Sequence, residues 1–216
     1  MSSFDFSTLY TKIPHDKLID VLCKLVDSTF NDTTRKYMSV GHNRAYWVKG
    51  VRGTKFIYDA DTIKECLRYL IKNAYFRVGN LIFRQIIGIP MGSDPAPFFA
   101  NLFLFYYECN WIDRCKKEDY KKARKFHNIF RFIDDLLAIN DGGEFGKSFL
   151  DIYPPELVLN KENVNDHRTT FLDLCIEIFG NQFIYKLFDK RDAFPFHIVR
   201  FPFKCSNLPS KMFYHH

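Results

Sequence analysis

The chain has 216 residues, 47% apolar and 18% aromatic, so it can bury a core and does not have the composition of a disordered chain. Its net charge of +6 suits a phosphate-rich partner, although many basic proteins bind no nucleic acid. Its most apolar stretch, residues 95–107, is shorter than the roughly 20 residues that cross a bilayer, and residues 1–10 lack signal-peptide features. The sequence predicts an intracellular protein, nuclear or cytoplasmic, that is neither secreted nor membrane-bound.

Apolar spacing predicts the elements of the first half of the chain. They are a strand end or tight turn at residues 3–10, helices at residues 15–29 and 61–75, and a β-rich segment at residues 81–87. Asp61 is expected to cap the second helix. Residues 31–60 contain three glycines and indicate loops or a small hairpin.

The second half is predicted to hold both helices and strands. They are helices at residues 95–116 and 119–127, a hairpin of residues 128–132 and 136–140, and strands at residues 158–159, 169–179 and 182–187. The helix at residues 95–116 is apolar all round, so we expect both of its faces to be covered. The order of elements favours an α+β fold, an antiparallel sheet with helices packed on one face.

Two adjacent carboxylates, Asp134 and Asp135, lie between the apolar β segments of the predicted hairpin. Like charges side by side in an apolar hairpin are unfavourable, and a bound cation is the natural compensation. Phosphoryl transfer to a 3′-hydroxyl uses two divalent ions, and hard cations such as Mg²⁺ take oxygen ligands. A solvent-exposed Asp-Asp turn is the alternative interpretation.

Two earlier segments also favour a functional site. Asp5 lies between Phe4 and Phe6, where an unpaired charge is costly, although it could equally cap a turn near the chain terminus. Residues 88–95 form a Gly/Pro turn that leads into the apolar helix, and its glycines would let the backbone approach a planar substrate. A plain helix-start turn, capped by the residue at position 93 or 94, is the alternative.

Taken in order, these three segments resemble motifs A, B and C of the reverse transcriptase family. The likeness is nearest to the domains of Penelope-like and related retroelements, which carry a run similar to Ser-Thr-Leu-Tyr-Thr-Lys-Ile-Pro at residues 7–14. It extends over residues 2–205. The family fold is a polymerase palm, so the resemblance implies that the α+β architecture is of this kind.

The resemblance also assigns roles to the residues that match the motifs. Asp5 and Asp134 match the metal-binding aspartates, and Asp135 contributes less directly. Phe6 stands where a backbone carbonyl helps to bind the second metal. Tyr10 matches the aromatic residue that packs under the sugar and discriminates against a 2′-hydroxyl.

Further roles follow for residues outside the acidic motifs. Pro90, Met91 and Gly92 match the turn that positions template and incoming nucleotide, with Met91 where retroviral enzymes more often have Gln. Lys161 matches a lysine proposed as a general acid toward pyrophosphate, although a solvated loop lysine is the simpler interpretation. Residues 170–173 resemble the start of motif E, the primer grip.

The activity implied by the resemblance is RNA-directed DNA polymerisation for a retroelement. It would use two Mg²⁺ ions, with Mn²⁺ as a substitute, and its partners would be an RNA template, a DNA primer and dNTPs. Two alternatives stay open: a catalytically inactive remnant that still binds nucleic acid, and a basic α+β protein whose motifs match by chance. The second would gain support if Asp5 lay far from Asp134 and Asp135.

The resemblance also predicts a domain organisation. Residues 1–180 are expected to form the palm core, with part of a fingers-type insertion at residues 31–87, and residues 181–216 a partial connection or the start of a thumb. Family members normally carry a fingers segment before motif A, where this sequence has four residues. Fingers and thumb are therefore expected to be incomplete, and the chain alone is expected to polymerise poorly.

Overall fold

The computed structural model describes residues 1–31, 34, 36–50, 56–189 and 194–195. Within these ranges the helices are α1 (Leu9–Lys12), α2 (His15–Asn31), α3 (Ala60–Lys72), α4 (Ala96–Glu118), α5 (Tyr120–Lys125) and α6 (Glu144–Ile152). The strands are β1 (Ser2–Phe6), β2 (Tyr37–Val40), β3 (Ala45–Val48), β4 (Phe56–Tyr58), β5 (Tyr75–Val78), β6 (Leu81–Arg84), β7 (Ile129–Phe132), β8 (Asp135–Ala138), β9 (Leu159–Lys161), β10 (Arg168–Phe171), β11 (Leu174–Phe179) and β12 (Gln182–Leu187). Among the described residues, no helix is long and apolar enough to cross a bilayer.

The first and third motifs lie side by side in a four-stranded antiparallel sheet with the order β7-β8-β1-β9. Asp5 of β1 lies opposite Asp135 of β8 on one side and opposite Asn160 of β9 on the other. Side chains alternate along a strand, so Phe4 and Phe6 point to one face and Asp5 to the other. Both phenylalanines are buried. The Phe-Asp-Phe pattern therefore determines which face of β1 carries the carboxylate.

Helices cover the phenylalanine face of this sheet. The ring of Phe4 lies 5.0 Å from that of Phe145 in α6, and the ring of Phe6 lies 4.8 Å from that of Tyr153, which follows α6. Phe103 of α4 is fully buried in the same core. The predicted α+β fold, an antiparallel sheet with helices on one face, is confirmed.

A second antiparallel sheet, with the order β10-β11-β12, contacts the opposite face of β1. There the Thr169 hydroxyl donates a hydrogen bond to Ser3 Oγ at 2.5 Å. The single strand predicted over residues 169–179 is wrong, because a turn at Leu172, with φ of 53°, divides it into β10 and β11. Gly180, where the predicted palm core ends, lies in the turn between β11 and β12.

The prediction for α2 is confirmed, and that for α3 needs two corrections. Asp59 caps α3, not Asp61, because the Asp59 backbone is extended and its carboxylate accepts from the Thr62 amide at 2.8 Å. The helix also ends at Lys72, and Tyr75 already begins a hairpin of β5 and β6. In the described part of residues 31–60, where loops or a small hairpin were predicted, β2, β3 and β4 form a three-stranded sheet.

The prediction for α4 is right in extent and wrong in burial. Ala100 and Leu104 are fully buried, but Phe98 is 70% exposed, and Leu102 and Phe105 are also exposed. Only the side of α4 that faces the core is covered within the described ranges. Helix α6 was not predicted at all, because it is short and follows the Gly142–Gly143 pair, a composition typical of a loop.

Candidate functional site

Strand β1 and the β7–β8 turn bring the predicted aspartates together. Asp5 lies opposite Asp135, and the Phe6 amide donates a hydrogen bond to the Asp134 carbonyl at 3.2 Å. The side chains arrive there from two antiparallel strands that are far apart in sequence. A large separation of these aspartates would have favoured a chance match of motifs, and the structure instead brings them close together.

The charges at this site act on one another. Partial burial raises the pKa of Asp5, and the negative charge of Asp134 raises it further. Burial and the same Asp134 charge also raise the pKa of the Tyr10 phenol. Asp134 therefore lies within electrostatic reach of both groups. A divalent cation between the carboxylates would relieve this repulsion.

The donors at this site are oxygen atoms. Asp5, Asp134 and Asp135 carry carboxylates, and Phe6 carries a backbone carbonyl. Within the described ranges, no three His, Cys, Asp or Glu side chains converge as a ready-made metal-binding group. Mg²⁺ rarely uses an all-protein cage; it is commonly held by one or two carboxylates, water and substrate phosphates. The donor chemistry therefore fits Mg²⁺.

The turn between β7 and β8 holds Asp134 on a strained backbone. Ile133 has a φ of 54°, in the left-handed region that a β-branched residue rarely adopts. The Arg131 guanidinium donates to the Ile133 carbonyl at 3.1 Å and so stabilises this conformation. Sequence reasoning missed Arg131. The Phe-Arg-Phe pattern gave the opposite signal, since alternation in a strand predicts that Phe130 and Phe132 point inward. In the structure both phenylalanines are exposed and Arg131 is the less exposed residue.

The first and second motifs are joined by backbone hydrogen bonds. The Ile89 amide donates to the Tyr10 carbonyl at 2.7 Å, and the Gly88 amide donates to the Ile13 carbonyl at 2.8 Å. Nε2 of the buried His15 lies 2.8 Å from the Gly88 carbonyl; since a carbonyl only accepts, Nε2 carries the proton. These bonds fix the second motif beside Tyr10. His15 was also missed, because its partner is remote in sequence.

Position 88 requires a glycine because the protein's own backbone passes close to it. Its φ is 83°, and a Cβ there would lie 2.4 Å from the Tyr10 carbonyl oxygen and 3.1 Å from Thr11 Cα. An L side chain would have to displace the short helix α1, which follows β1. The sequence suggested that glycines here would admit a substrate, whereas Gly88 admits the Tyr10 backbone.

The predicted nucleotide-positioning residues form an exposed turn next to this junction. The side chain of Met91 is largely exposed, and Gly92 has a φ of 87° with open space around it. The Ser93 hydroxyl donates to the Pro90 carbonyl at 2.9 Å and closes the turn. The expected side-chain cap by residue 93 or 94 is not seen at the start of α4. A plain turn that leads into α4 stays an alternative interpretation.

Lys161 is not brought to the aspartates. It lies opposite Phe4 in the β1–β9 pairing, so its side chain leaves the sheet on the phenylalanine face, while Asp5 points to the other. Its ammonium donates to Asp166 at 2.8 Å. The β9 residue beside Asp5 is Asn160, which sequence reasoning did not consider.

The comparisons with known proteins bear on the fold. No protein-family profile matches the chain, and no curated protein sequence matches it either. Apo telomerase from Candida tropicalis is similar with a TM-score of 0.51 and 17% identity, over 82% of this chain and 30% of that chain. The same telomerase truncated from the C-terminal domain has a TM-score of 0.51 and 13% identity, over 86% of this chain and 35% of that chain. Candida albicans telomerase in complex with a TWJ fragment of telomeric RNA has a TM-score of 0.50 and 13% identity, over 82% of this chain and 30% of that chain.

Identities of 13% to 17% show a common fold and nothing finer. The chain has an α+β, palm-like fold similar to that of these telomerase chains, as the predicted fold class required. It spans 30% to 35% of the length of these telomerase chains. The nearer likeness to Penelope-like retroelements stays a prediction, because no family profile or curated sequence matches.

Proposed function

We propose that this chain is the palm of an RNA-directed DNA polymerase, a reverse transcriptase of retroelement type. The observation that carries the proposal is the meeting of Asp5 with Asp134, where a backbone hydrogen bond joins the two strands and one carboxylate raises the pKa of the other. The similarity in fold to telomerase supports it independently. The cellular site would be the nucleus or the cytoplasm.

The metal ligands in this proposal are Asp5, Asp134 and the Phe6 carbonyl, with Asp135 in a lesser part. Two bound Mg²⁺ ions, or Mn²⁺ in their place, would supply activation of the primer 3′-hydroxyl and charge neutralisation on the leaving pyrophosphate. The chain itself contributes fixed positions: β1 sets Asp5 opposite Asp135 of β8, and the adjoining β7–β8 turn carries Asp134. Such fixed oxygen donors need no reorganisation when substrate arrives.

The nucleotide and template would lie against Tyr10 and the Pro90–Gly92 turn. Tyr10 is held to this turn through the Ile89 amide, so the surface under the sugar and the surface beside the base pair are one connected unit. Met91 presents an exposed apolar side chain there. The partners are an RNA template, a DNA primer and dNTPs.

A second candidate is a palm that binds nucleic acid without turnover. The position of Lys161 favours it, because the one residue predicted as a general acid is paired with Asp166 on the face of β1 opposite Asp5. We assign no chemical step to Lys161 in either candidate. Its ion pair is exposed and contributes little to stability.

The experiment compares Asp134→Asn and Asp135→Asn with Asp61→Asn, a surface control on α3 whose side chain is 87% exposed. The purified chain would be assayed for Mn²⁺ binding by electron paramagnetic resonance and for dNTP addition to a primed RNA template. We expect Mn²⁺ binding and slow addition, both reduced at least about tenfold by Asp134→Asn and less by Asp135→Asn, with no change in Asp61→Asn.

The outcomes separate the two candidates. Mn²⁺ and primer–template binding with no nucleotide addition would favour the non-catalytic palm. Absence of both metal binding and nucleic-acid binding would overturn the proposed function. Addition that survives Asp134→Asn would show that the metal site lies elsewhere.

A further inference from the structure

Beneath the β7–β8 turn lies a partly buried ionic cluster of four side chains. The Arg131 guanidinium grips Glu108 with two bonds, from Nε to Oε1 at 2.6 Å and from an Nη atom to Oε2 at 3.0 Å. It also donates to the side-chain oxygen of Asn101 at 2.6 Å. The Tyr153 hydroxyl donates to Glu108 at 2.8 Å. The Arg131 side chain is only 12% exposed, so this fork is largely withdrawn from solvent.

The cluster is attached to both strands that carry the proposed metal ligands. On one side Arg131 donates to the carbonyl of Ile133, the strained residue directly before Asp134. On the other side the ring of Tyr153 packs edge-on against Phe6, the residue directly after Asp5. Helix α4 contributes Asn101 and Glu108, which lie about two turns apart on the same side of the helix, and serves as the common support.

The geometry within the cluster is specific to these residue types. A planar guanidinium can donate to a carboxylate through two parallel bonds and to further oxygens with its remaining protons, which an ammonium cannot do. The Tyr153 phenol is fully enclosed, and burial together with the Glu108 charge raises its pKa well above the ordinary value. It therefore stays protonated and donates to Glu108.

We propose that Arg131, with Glu108, Asn101 and Tyr153, is a positioning device that sets the Asp134 turn against the Asp5 strand and thereby determines affinity for the divalent cation. The inference rests on the proposed function. None of the four side chains need touch the metal or the substrate. Residues that orient metal ligands from behind commonly change metal affinity by about 10- to 100-fold when mutated.

Simple stabilisation of the core is the competing explanation, and it makes a different prediction. A buried ion pair is often no more stabilising than apolar residues of the same volume, although removing one partner is costly. A role in stability alone would therefore change the unfolding transition and leave the cation affinity of the folded chain unchanged.

The test measures Mn²⁺ affinity by electron paramagnetic resonance and the unfolding midpoint by circular dichroism, in the whole chain. Arg131→Lys keeps the charge but loses the fork and its bond to Ile133, and we expect about tenfold weaker Mn²⁺ binding. Tyr153→Phe keeps the ring against Phe6 and removes one bond to Glu108, and we expect a loss of severalfold. Lys64→Met is the matched control, because the Lys64 side chain is 16% exposed and forms ion pairs with two aspartates remote from the site.

Unchanged Mn²⁺ affinity in folded Arg131→Lys would overturn the inference. If Arg131→Lys does not fold, Tyr153→Phe decides in the same way. Equal losses in Lys64→Met would also overturn it, since any disturbed ion pair would then suffice. Absence of Mn²⁺ binding by the unaltered chain would overturn the proposed metal site, and this inference with it. Unchanged binding in the Arg131 variant would overturn this inference alone, so the two failures are distinguishable.

Discussion

Asp5 carries an electrostatic cost in the folded chain. Its carboxylate is partly buried and faces the charge of Asp134, and both effects raise its pKa. The cost is of a kind found at sites that bind cations, where the protein keeps charge unneutralised until the ligand arrives. It has a measurable consequence for folding.

Asp5→Asn should stabilise the fold at neutral pH and leave it unchanged in acid. The folded chain holds the Asp5 proton more tightly than the unfolded chain, so stability falls as pH rises from about 3.9, the ordinary aspartate value, through the raised folded value. Above that window the asparagine variant should be more stable, by less than about 1 kcal/mol because Asp5 is partly exposed to solvent. Urea unfolding at pH 7 and at pH 3.5 measures the difference.

Added Mg²⁺ provides the control for this prediction. A cation that binds the folded chain should stabilise the unaltered protein and do little for Asp5→Asn. A variant that is less stable at pH 7 would contradict the stated electrostatic cost.

The acidic residues could be predicted from the sequence, and their supports could not. Asp5 lies between two phenylalanines, and the Asp134–Asp135 pair lies between apolar segments, so an unpaired charge is visible without a structure. Arg131 and His15 act through Glu108 and Gly88, partners that only the tertiary fold brings close. One sequence holds no record of such a pairing.

At the scale of elements, periodicity predicted long helices well and short elements poorly. α2 and α4 repeat apolar residues over several turns, so their extents were predicted closely. α6 has only nine residues, so its apolar residues at helical spacing extend over little more than two turns. The last residue of the predicted second helix, Tyr75, instead begins β5. A single left-handed residue, Leu172, divided a predicted strand in two, and a leucine gives no sequence signal for that conformation.

The contact between α1 and the second motif gives a prediction about two glycines. Gly88 and Gly92 both have positive φ, but only at Gly88 would a Cβ collide with backbone, at 2.4 Å from the Tyr10 oxygen. Gly92→Ala should cost about 1 kcal/mol of folding free energy from backbone strain alone. Gly88→Ala should cost about 2 kcal/mol more, because the backbone of α1 must move as well.

Urea unfolding of both variants measures this difference, and each glycine is the control for the other. Nucleotide affinity provides a second measurement. A shift of α1, and with it Tyr10, should weaken dNTP binding in folded Gly88→Ala. Equal unfolding free energies for the two variants would contradict the close approach seen at Gly88.

For the whole molecule, the net charge of +6 matters less than where the lysines lie. Lys12 ends α1, is exposed, and is two residues from Tyr10. Lys121 is equally exposed but belongs to α5, which leads into the end of β7 opposite the Asp134 turn. Four strand residues span about 13 Å, so α5 lies away from the proposed site.

A primer–template bound at the aspartates should therefore contact Lys12 and not Lys121. Binding to phosphates releases counterions, and each contact contributes about 0.9 to the slope of log affinity against log salt concentration. Lys12→Gln should lower that slope by about 1 and weaken binding, whereas Lys121→Gln removes the same charge and should leave the slope unchanged. Fluorescence anisotropy of a labelled primer–template across a salt series measures both. Equal changes of the salt slope in the two variants would mean that the duplex follows the general positive field of the chain. A loss of affinity confined to Lys121→Gln would place the nucleic acid on α5, away from the three aspartates.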